Sequence, residues 1–212
     1  MASALHVRDF DSVAAQWDQQ PRRVELARAV SIAMIKEAQP GTSMRMLDFG
    51  CGTGLVTLAL APLVHEVVAA DSSQGMLEQL SAKLIDSGIN NVTPFLLPHD
   101  GLGELLPPFD LVVSSMTMHH ISDVAGLIRM FQVVLNTGGQ LCIADLAAED
   151  GNFHDDPTGI AHHGFSNEEM RHLFCGAGFS DVRTMWVMDV EKRRGNGIQR
   201  YPVNLTIGRR DD

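Results

Sequence analysis

Two patterns of apolar residues alternate along the chain. Short continuous apolar runs predict buried strands over residues 44–49, 67–70, 92–97, 109–114 and 140–146. Between these runs, apolar residues recur at spacings of three and four, which predicts helices over 55–63, 73–88 and 122–135. The repeated order of strand and helix predicts a doubly wound α/β fold with a mostly parallel sheet.

The ends of the chain follow different patterns. Two amphipathic helices are predicted before the first strand, over 10–20 and 22–39. After an irregular stretch, 147–165, Ser166 and Glu169 form a capping box that starts another helix. Alternating apolar runs at 182–190 and 201–208 then predict an antiparallel hairpin. We therefore predict one domain over 1–212, with a helical lid at 1–41 and an α/β core at 42–212.

Composition and charge narrow the class of partner. The chain has 212 residues, 45% of them hydrophobic, and a net charge of −10. An acidic chain without a large basic cluster argues against binding to nucleic acid through its phosphates. No apolar run reaches the length of a membrane span, no signal peptide is visible, and three cysteines without metal-like spacing indicate reduced thiols. We expect a cytoplasmic protein with a small-molecule partner, and keep a homodimer as an alternative to a monomer.

A glycine-rich turn follows the first predicted strand. Gly50, Gly52 and Gly54 stand at alternate positions, so a ligand could lie against the backbone. Asp71 ends the second strand and Asp100 follows the third, and in an open α/β sheet ligands bind at these strand ends. A carboxylate such as Asp71 can accept two hydrogen bonds from ribose hydroxyls. The spacing G-x-G-x-G, with Asp48 ahead of it, differs from the G-x-G-x-x-G of dinucleotide sites and favours a cationic or amine-bearing ligand.

These residues carry a family resemblance. The segments Leu47-Asp48-Phe49-Gly50-Cys51-Gly52-Thr53-Gly54, Pro98-His99-Asp100-Gly101 and Met118-His119-His120-Ile121 resemble class I S-adenosylmethionine-dependent methyltransferases, most closely the type 11, or UbiE-like, small-molecule branch. The resemblance implies a Rossmann-like sheet of seven strands with the last hairpin antiparallel. It also implies that S-adenosyl-L-methionine contacts Trp17, Asp48, Gly50, Cys51, Gly52, Gly54, Asp71, Ser72, Met76, Asp100, Gly101 and Ser115.

The residues that would act on the acceptor are less defined. A base is optional for a sulfonium methyl donor, because alignment alone can contribute about 7–11 kcal/mol. Candidates for a base are His119, His120, Asp145, His154, His162 and His163. We predict catalytic roles for His163, His162 and His119, and no metal site. The atom that is methylated, whether O, N, C or S, is left open.

Two other functions compete with a methyltransferase. One is a non-catalytic protein that binds the adenosyl cofactor, and the other is a nicotinamide-dependent oxidoreductase, which the glycine spacing disfavours. Methylases of nucleic acid bases and of protein glutamine carry an Asn/Asp-Pro-Pro-Tyr motif after the fourth strand. This chain has Ser114-Ser115-Met116-Thr117 there, which argues against those substrates.

Overall fold

Seven strands form one sheet in a computed structural model that describes residues 9–98, 108–195 and 197–211. Asp100 and Gly101, two of the predicted cofactor contacts, lie outside these described residues. The strands are β1 (Arg45–Phe49), β2 (Glu66–Asp71), β3 (Val92–Leu96), β4 (Phe109–Ser115), β5 (Leu135–Leu146), β6 (Phe179–Arg194) and β7 (Gly197–Arg210).

The order of the strands is β3-β2-β1-β4-β5-β7-β6. Pairs among β1 to β5 are parallel, whereas β7 runs antiparallel to both β5 and β6. This arrangement confirms the predicted doubly wound α/β class and its antiparallel C-terminal hairpin. The strand order reverses between β1 and β4, and the carboxyl ends of the parallel strands at that point form the edge where such folds bind ligands.

Helices cover both faces of the sheet. They are α1 (Pro21–Ala38), α2 (Leu55–Leu60), α3 (Gln74–Ser87), α4 (Val124–Val134) and α5 (Asn167–Gly176), with short 3-10 helices at Ala61–Leu63 and Met118–His120. One apolar core joins α1, α2 and α3 to the sheet, and the other lies around α4 and α5. Within the described residues, no helix has both the length and the apolar content needed to cross a membrane.

Local signals at the helix ends explain most boundaries. Ser73 caps α3 by accepting from the Met76 N–H, and Ser166 caps α5 by accepting from the Glu169 N–H, as predicted. The start of α4 differs, because Asp123 rather than Ser122 accepts from the Gly126 N–H. A carboxylate is a good partner for the unpaired amides of a first turn.

Two further boundaries differ from the predictions. Residues Asp11–Gln19 form a 3-10 helix of nine residues, longer than such helices commonly run, where an amphipathic α-helix was predicted. Only Ala14 of that stretch is buried, so apolar packing gives no reason for α-helical periodicity. The fifth strand begins at Leu135, before the predicted turn, because Leu135 already pairs with Phe109 ahead of a shift in register.

The described residues of the predicted lid, 9–41 of 1–41, include two structurally different parts. Helix α1 contributes Leu26, Val30 and Met34 to the apolar core. Residues 9–20, which we call the cover segment, instead contact the glycine turn and α3 through polar groups. The division at residue 41 stays a prediction.

Candidate functional site

The glycine turn joins β1 to α2 with three left-handed residues. Gly50, Gly52 and Gly54 have φ angles of 71°, 54° and 81°. A Cβ on Gly50 would overlap the Thr117 side chain, and one on Gly54 would overlap Leu80. A Cβ on Gly52 would have no protein atom within 4 Å. The first and third glycines are therefore required by packing, and the middle one leaves open space beside the backbone.

Asp71 fastens this turn to the second strand. Its Oδ2 accepts from the Gly52 N–H at 2.7 Å, and its Oδ1 accepts from the Ser73 N–H at 2.9 Å. Each carboxylate oxygen can accept more than one hydrogen bond, so Asp71 keeps capacity for a ligand hydroxyl. Burial raises the pKa of the Asp71 carboxyl, while the hydrogen bonds from Ser73 and Gly52 counteract this. Predicted contact Asp71 thus lies directly beside predicted contact Gly52.

Asp48 is a buried carboxyl under the same turn. It is 1% exposed, and Thr57 on α2 donates to its Oδ2 at 2.5 Å. Burial raises the pKa of Asp48 to about 7, against the effect of the Thr57 hydrogen bond. Burial, reinforced by the charges of Asp48 and Asp71, also raises the pKa of the Cys51 thiol. Cys51 therefore contributes a neutral side chain to the turn.

The remaining predicted cofactor contacts surround the turn at different depths. Ser72 is exposed after β2, Met76 is buried in α3, and Ser115 is half-buried at the end of β4. Trp17 lies on the cover segment, with the Arg23 guanidinium 3.5 Å from its ring centroid. All four lie on elements that meet the carboxyl edge of the sheet.

The cover segment is fixed to the turn by two aspartates. Asp11 Oδ1 accepts from Ser73 Oγ at 2.6 Å and from the Gly75 N–H at 2.7 Å. Asp18 Oδ1 accepts from Thr53 Oγ1 at 2.6 Å, and its Oδ2 pairs with Lys83 Nζ at 2.5 Å. No periodic signal in the sequence indicates these contacts, because most of them join residues more than 60 positions apart.

On the other side of β1, a buried imidazole–carboxylate pair follows β4. His119 Nδ1 lies 2.6 Å from Asp145 Oδ1, and the two side chains are 2% and 3% exposed. Burial opposes ionisation of Asp145, but the charge of His119 and the hydrogen bonds from His119 and Leu146 outweigh it and lower the pKa of this carboxyl. Asp145 is consequently an anion near neutral pH and holds the His119 ring in one orientation.

Two further imidazoles lie against this pair. The ring centroid of His120 is 4.2 Å from that of His119, and the His154 centroid is 4.9 Å from it. His120 Nδ1 lies 2.8 Å from the Gly159 carbonyl oxygen, which can only accept. A neutral His120 therefore carries its proton on Nδ1, and Nε2 is its basic nitrogen. The edge of the Phe10 ring meets His120 at a centroid distance of 5.2 Å.

Of the other two predicted catalytic histidines, His162 is joined to this cluster through its backbone, since its N–H donates to the His119 carbonyl oxygen at 3.0 Å. His162 Nε2 is 3.0 Å from the Ile121 carbonyl oxygen, which fixes the half-buried ring to the end of the loop after β4. His163 is 56% exposed and pairs with the buried Glu149 carboxyl at 3.6 Å. Of the predicted catalytic residues, only His119 is in contact with a buried carboxylate of the strand edge.

The hairpin of β6 and β7 extends beyond the edge of the sheet. β5 ends at Leu146, which pairs with Val203, and the Ala147 N–H still donates to the Pro202 carbonyl oxygen at 2.8 Å, so residues 197–201 of β7 continue past this point with β6. This overhang reaches the loop that carries His154. Lys192 donates to the Phe153 carbonyl oxygen and pairs with Asp155 at 3.3 Å, and Arg194 also contacts both residues.

These features lie in a chain that matches a known family model. A model described as a methyltransferase domain covers residues 19–184. The chain belongs to this methyltransferase family. An uncharacterized methyltransferase of Schizosaccharomyces pombe is 31% identical in an alignment 200 positions long, which covers 78% of this chain and 70% of that protein.

Two other similar proteins extend this comparison. A ubiquinone biosynthesis O-methyltransferase of a Caulobacter species is 25% identical in an alignment 155 positions long, which covers 66% of this chain and 62% of that protein. The crystal structure of YcgJ from Bacillus subtilis superposes with a TM-score of 0.73 at 20% identity, covering 87% of this chain and 99% of that one. That likeness shows the fold, and the family match shows a class I methyltransferase of the UbiE-like group.

S-adenosyl-L-methionine is the cofactor of this methyltransferase. The described residues fit that group, because the turn has open space at Gly52 and a carboxylate, Asp71, within reach of the same amide. Asp48 adds a buried acidic group beneath the turn, which suits a ligand with positive charge.

Proposed function

We propose that this methyltransferase acts on a hydroxyl group of a small, partly apolar acceptor, in the cytoplasm. The observation that carries the proposal is the His119–Asp145 contact of 2.6 Å, with the His120 ring against the His119 ring at a centroid distance of 4.2 Å. A hydroxyl must lose its proton as it is methylated, so a neighbouring imidazole base accelerates that reaction. A neutral amine acceptor has less need of one. The three free cysteines support a reducing compartment.

His120 is the group that takes the proton in this proposal. Its basic nitrogen is Nε2, because Nδ1 is committed to the Gly159 carbonyl oxygen. His119 is too deeply buried to touch an acceptor, so its role is that of a positioning residue. The Asp145 anion stabilises the positive charge that His120 acquires, through the intervening His119 ring.

The cofactor supplies an electrophilic methyl group on a sulfonium when it is bound. The glycine turn holds it through backbone, and Asp71 accepts from its ribose hydroxyls. Phe10 and the loop 153–160 enclose the acceptor beside His120. The name of the Caulobacter relative, an O-methyltransferase, supports the choice of a hydroxyl.

A labelled-methyl experiment tests this proposal. S-adenosylmethionine labelled in its methyl group is incubated with a panel of small phenols, aliphatic alcohols, amines and thiols. We expect label in hydroxyl compounds, and label confined to amines would contradict the proposal. For the hydroxyl acceptor found, His120→Gln should lower kcat about 10²–10⁴-fold with little change in cofactor affinity.

Two further variants separate the competing histidines. His163→Gln tests the prediction made from the sequence. If His163 is the base, this variant should lose kcat to a degree similar to that expected for His120→Gln. His172→Gln is the control, because His172 is exposed on α5 and contacts only the Glu168 carbonyl oxygen among the contacts of the described residues. An unchanged kcat in His120→Gln together with a lowered kcat in His163→Gln would contradict the role of His120. The base would then be His163, in the loop after β5.

A further inference from the structure

The cover segment has little apolar attachment to the rest of the molecule. Ala14 is the one buried residue among Asp11–Gln19. Burying an alanine contributes much less than burying a large aliphatic side chain. Its position over the glycine turn therefore depends largely on the hydrogen bonds and ion pair of Asp11 and Asp18, to which the rings of Phe10 and Trp17 add contacts with His120 and Arg23.

These two aspartates attach on either side of the cofactor turn. Asp11 reaches the first turn of α3, where the absence of a side chain on Gly75 lets the Asp11 backbone approach closely. The hydrogen bonds from Ser73 and Gly75 lower the pKa of Asp11, so this attachment is anionic near neutral pH. Asp18 accepts a hydrogen bond from Thr53, which stands between Gly52 and Gly54. Its other carboxylate oxygen forms an ion pair with the Lys83 ammonium group.

The same segment also reaches the acceptor side. Phe10 directly precedes Asp11, and its ring meets both Trp17, at 5.9 Å, and His120, at 5.2 Å. A segment that leaves the turn would withdraw Phe10 from His120. One short element thus contacts the cofactor turn at Thr53 and the proposed base at His120.

We propose that Lys83 is a positioning residue for methyl transfer: through Asp18 it holds the cover segment closed over the cofactor, and through Phe10 it sets His120 against the acceptor. Lys83 itself lies on α3, and its ammonium group pairs with the Asp18 carboxylate. The link to His120 rests on the proposed function, whereas the effect on the cofactor does not.

A fluorescence experiment follows the segment directly. The chain has two tryptophans, Trp17 in the segment and Trp186, which is 64% exposed on β6. Trp186→Phe leaves Trp17 as the single reporter, and Arg23 stacked on its ring makes its emission sensitive to opening. In this background, release of S-adenosylhomocysteine is timed by stopped flow.

Lys83→Met should speed that release about three- to fivefold, the range for a partly exposed ion pair. Asp18→Ala removes the Thr53 contact as well and should speed it about tenfold or more. Lys83→Arg should restore most of the wild-type rate. Lys36→Met is the control, because Lys36 is 79% exposed and pairs only weakly with Glu37 at 3.5 Å.

A second experiment measures KM and kcat for whichever compound of the panel is methylated. Lys83→Met should raise the KM for that compound and lower kcat by a few-fold, while thermal unfolding stays close to wild type. Unchanged release and unchanged Trp17 emission would overturn the role of Lys83. Faster release with an unaltered acceptor KM and kcat would overturn its link to His120. If the panel shows an amine acceptor, the hydroxyl proposal and the link to His120 fail, whereas the release readout still tests the role of Lys83 at the cofactor.

Discussion

The carboxyl edge of the sheet has two sides that present different chemical groups. We call the side of β1 and β2 the cofactor side and the side of β4 and β5 the acceptor side. On the side of β1 and β2, where we predict the cofactor, the edge consists of glycine backbone, with the Asp71 carboxyl beside it and the buried Asp48 carboxyl beneath it. On the side of β4 and β5, the His119 ring lies against Asp145, and the overhanging hairpin contacts the loop that carries His154. Backbone groups suit a cofactor that stays the same, whereas side chains on a loop can be exchanged to suit different acceptors.

The two sides meet at Gly50, which gives the prediction of largest effect. Gly50→Ala would place a Cβ inside the Thr117 side chain, in the loop that leads to His119, at a φ of 71°. We expect a loss of about 2–4 kcal/mol in the free energy of unfolding, from overpacking and left-handed strain. Urea unfolding measures this loss.

The matched variant is Gly52→Ala, at a φ of 54° with open space around its Cβ. It should cost only about 1 kcal/mol of stability. Its new methyl group would occupy the space beside the backbone, so cofactor binding measured by calorimetry should fall sharply. Equal stability losses in the two variants would contradict the separation of packing from binding.

The cofactor side was largely predictable from sequence for a physical reason. The glycines, Asp48 and Asp71 are placed by the ends of two strands, and strands were visible as local apolar runs. The attachment of Asp18 to Lys83 was not, since 65 residues separate them and each looks like an ordinary surface charge. The contact of Thr117 with Gly50 is equally remote in sequence.

The acceptor side was less predictable because its decisive contacts are tertiary. Adjacent histidines such as His119 and His120 look alike in a sequence, and only the fold buries the first against Asp145 and leaves the second half-exposed. The overhang of β7 likewise depends on where β5 ends. The roles of His119, His162 and His163 stay predictions, as do those of the cofactor contacts.

A pH experiment sharpens the contrast between the acidic groups of the two sides. The pKa of Asp48 is about 7 in the folded protein and 3.8 ordinarily, so the folded state holds a proton that the unfolded state lacks between these values. The contribution of Asp48 to the free energy of unfolding is thus largest at low pH and is lost as the pH rises through about 7. The slope is at most about 1.4 kcal/mol per pH unit.

Asp48→Asn should remove this slope, because an amide keeps an acceptor for Thr57 and does not titrate. Urea unfolding of both proteins from pH 5.5 to 8 gives the difference, which cancels the contribution of Asp71. Cofactor affinity should rise with pH through the same range in the wild type, as Asp48 ionises beside a cationic ligand, and stay flatter in the variant. Parallel stability curves would contradict the raised pKa.

The smallest expected effect lies at the hairpin overhang and concerns the acceptor side alone. Lys192→Met removes the ion pair with Asp155 and the hydrogen bond to the Phe153 carbonyl oxygen, while an apolar chain can still pack on the Phe153 ring. Burial lowers the pKa of Lys192, so losing its charge also removes a desolvation cost. We expect stability within about 1 kcal/mol of wild type and an acceptor KM raised about two- to fivefold by a looser loop, with unchanged cofactor affinity.

Arg200→Met on the same hairpin is the control, because Arg200 is 69% exposed and pairs with Glu191 away from that loop. A cofactor affinity that falls with Lys192→Met would mean that the overhang serves both sides, and the division of the edge would then lie elsewhere than between β1 and β4.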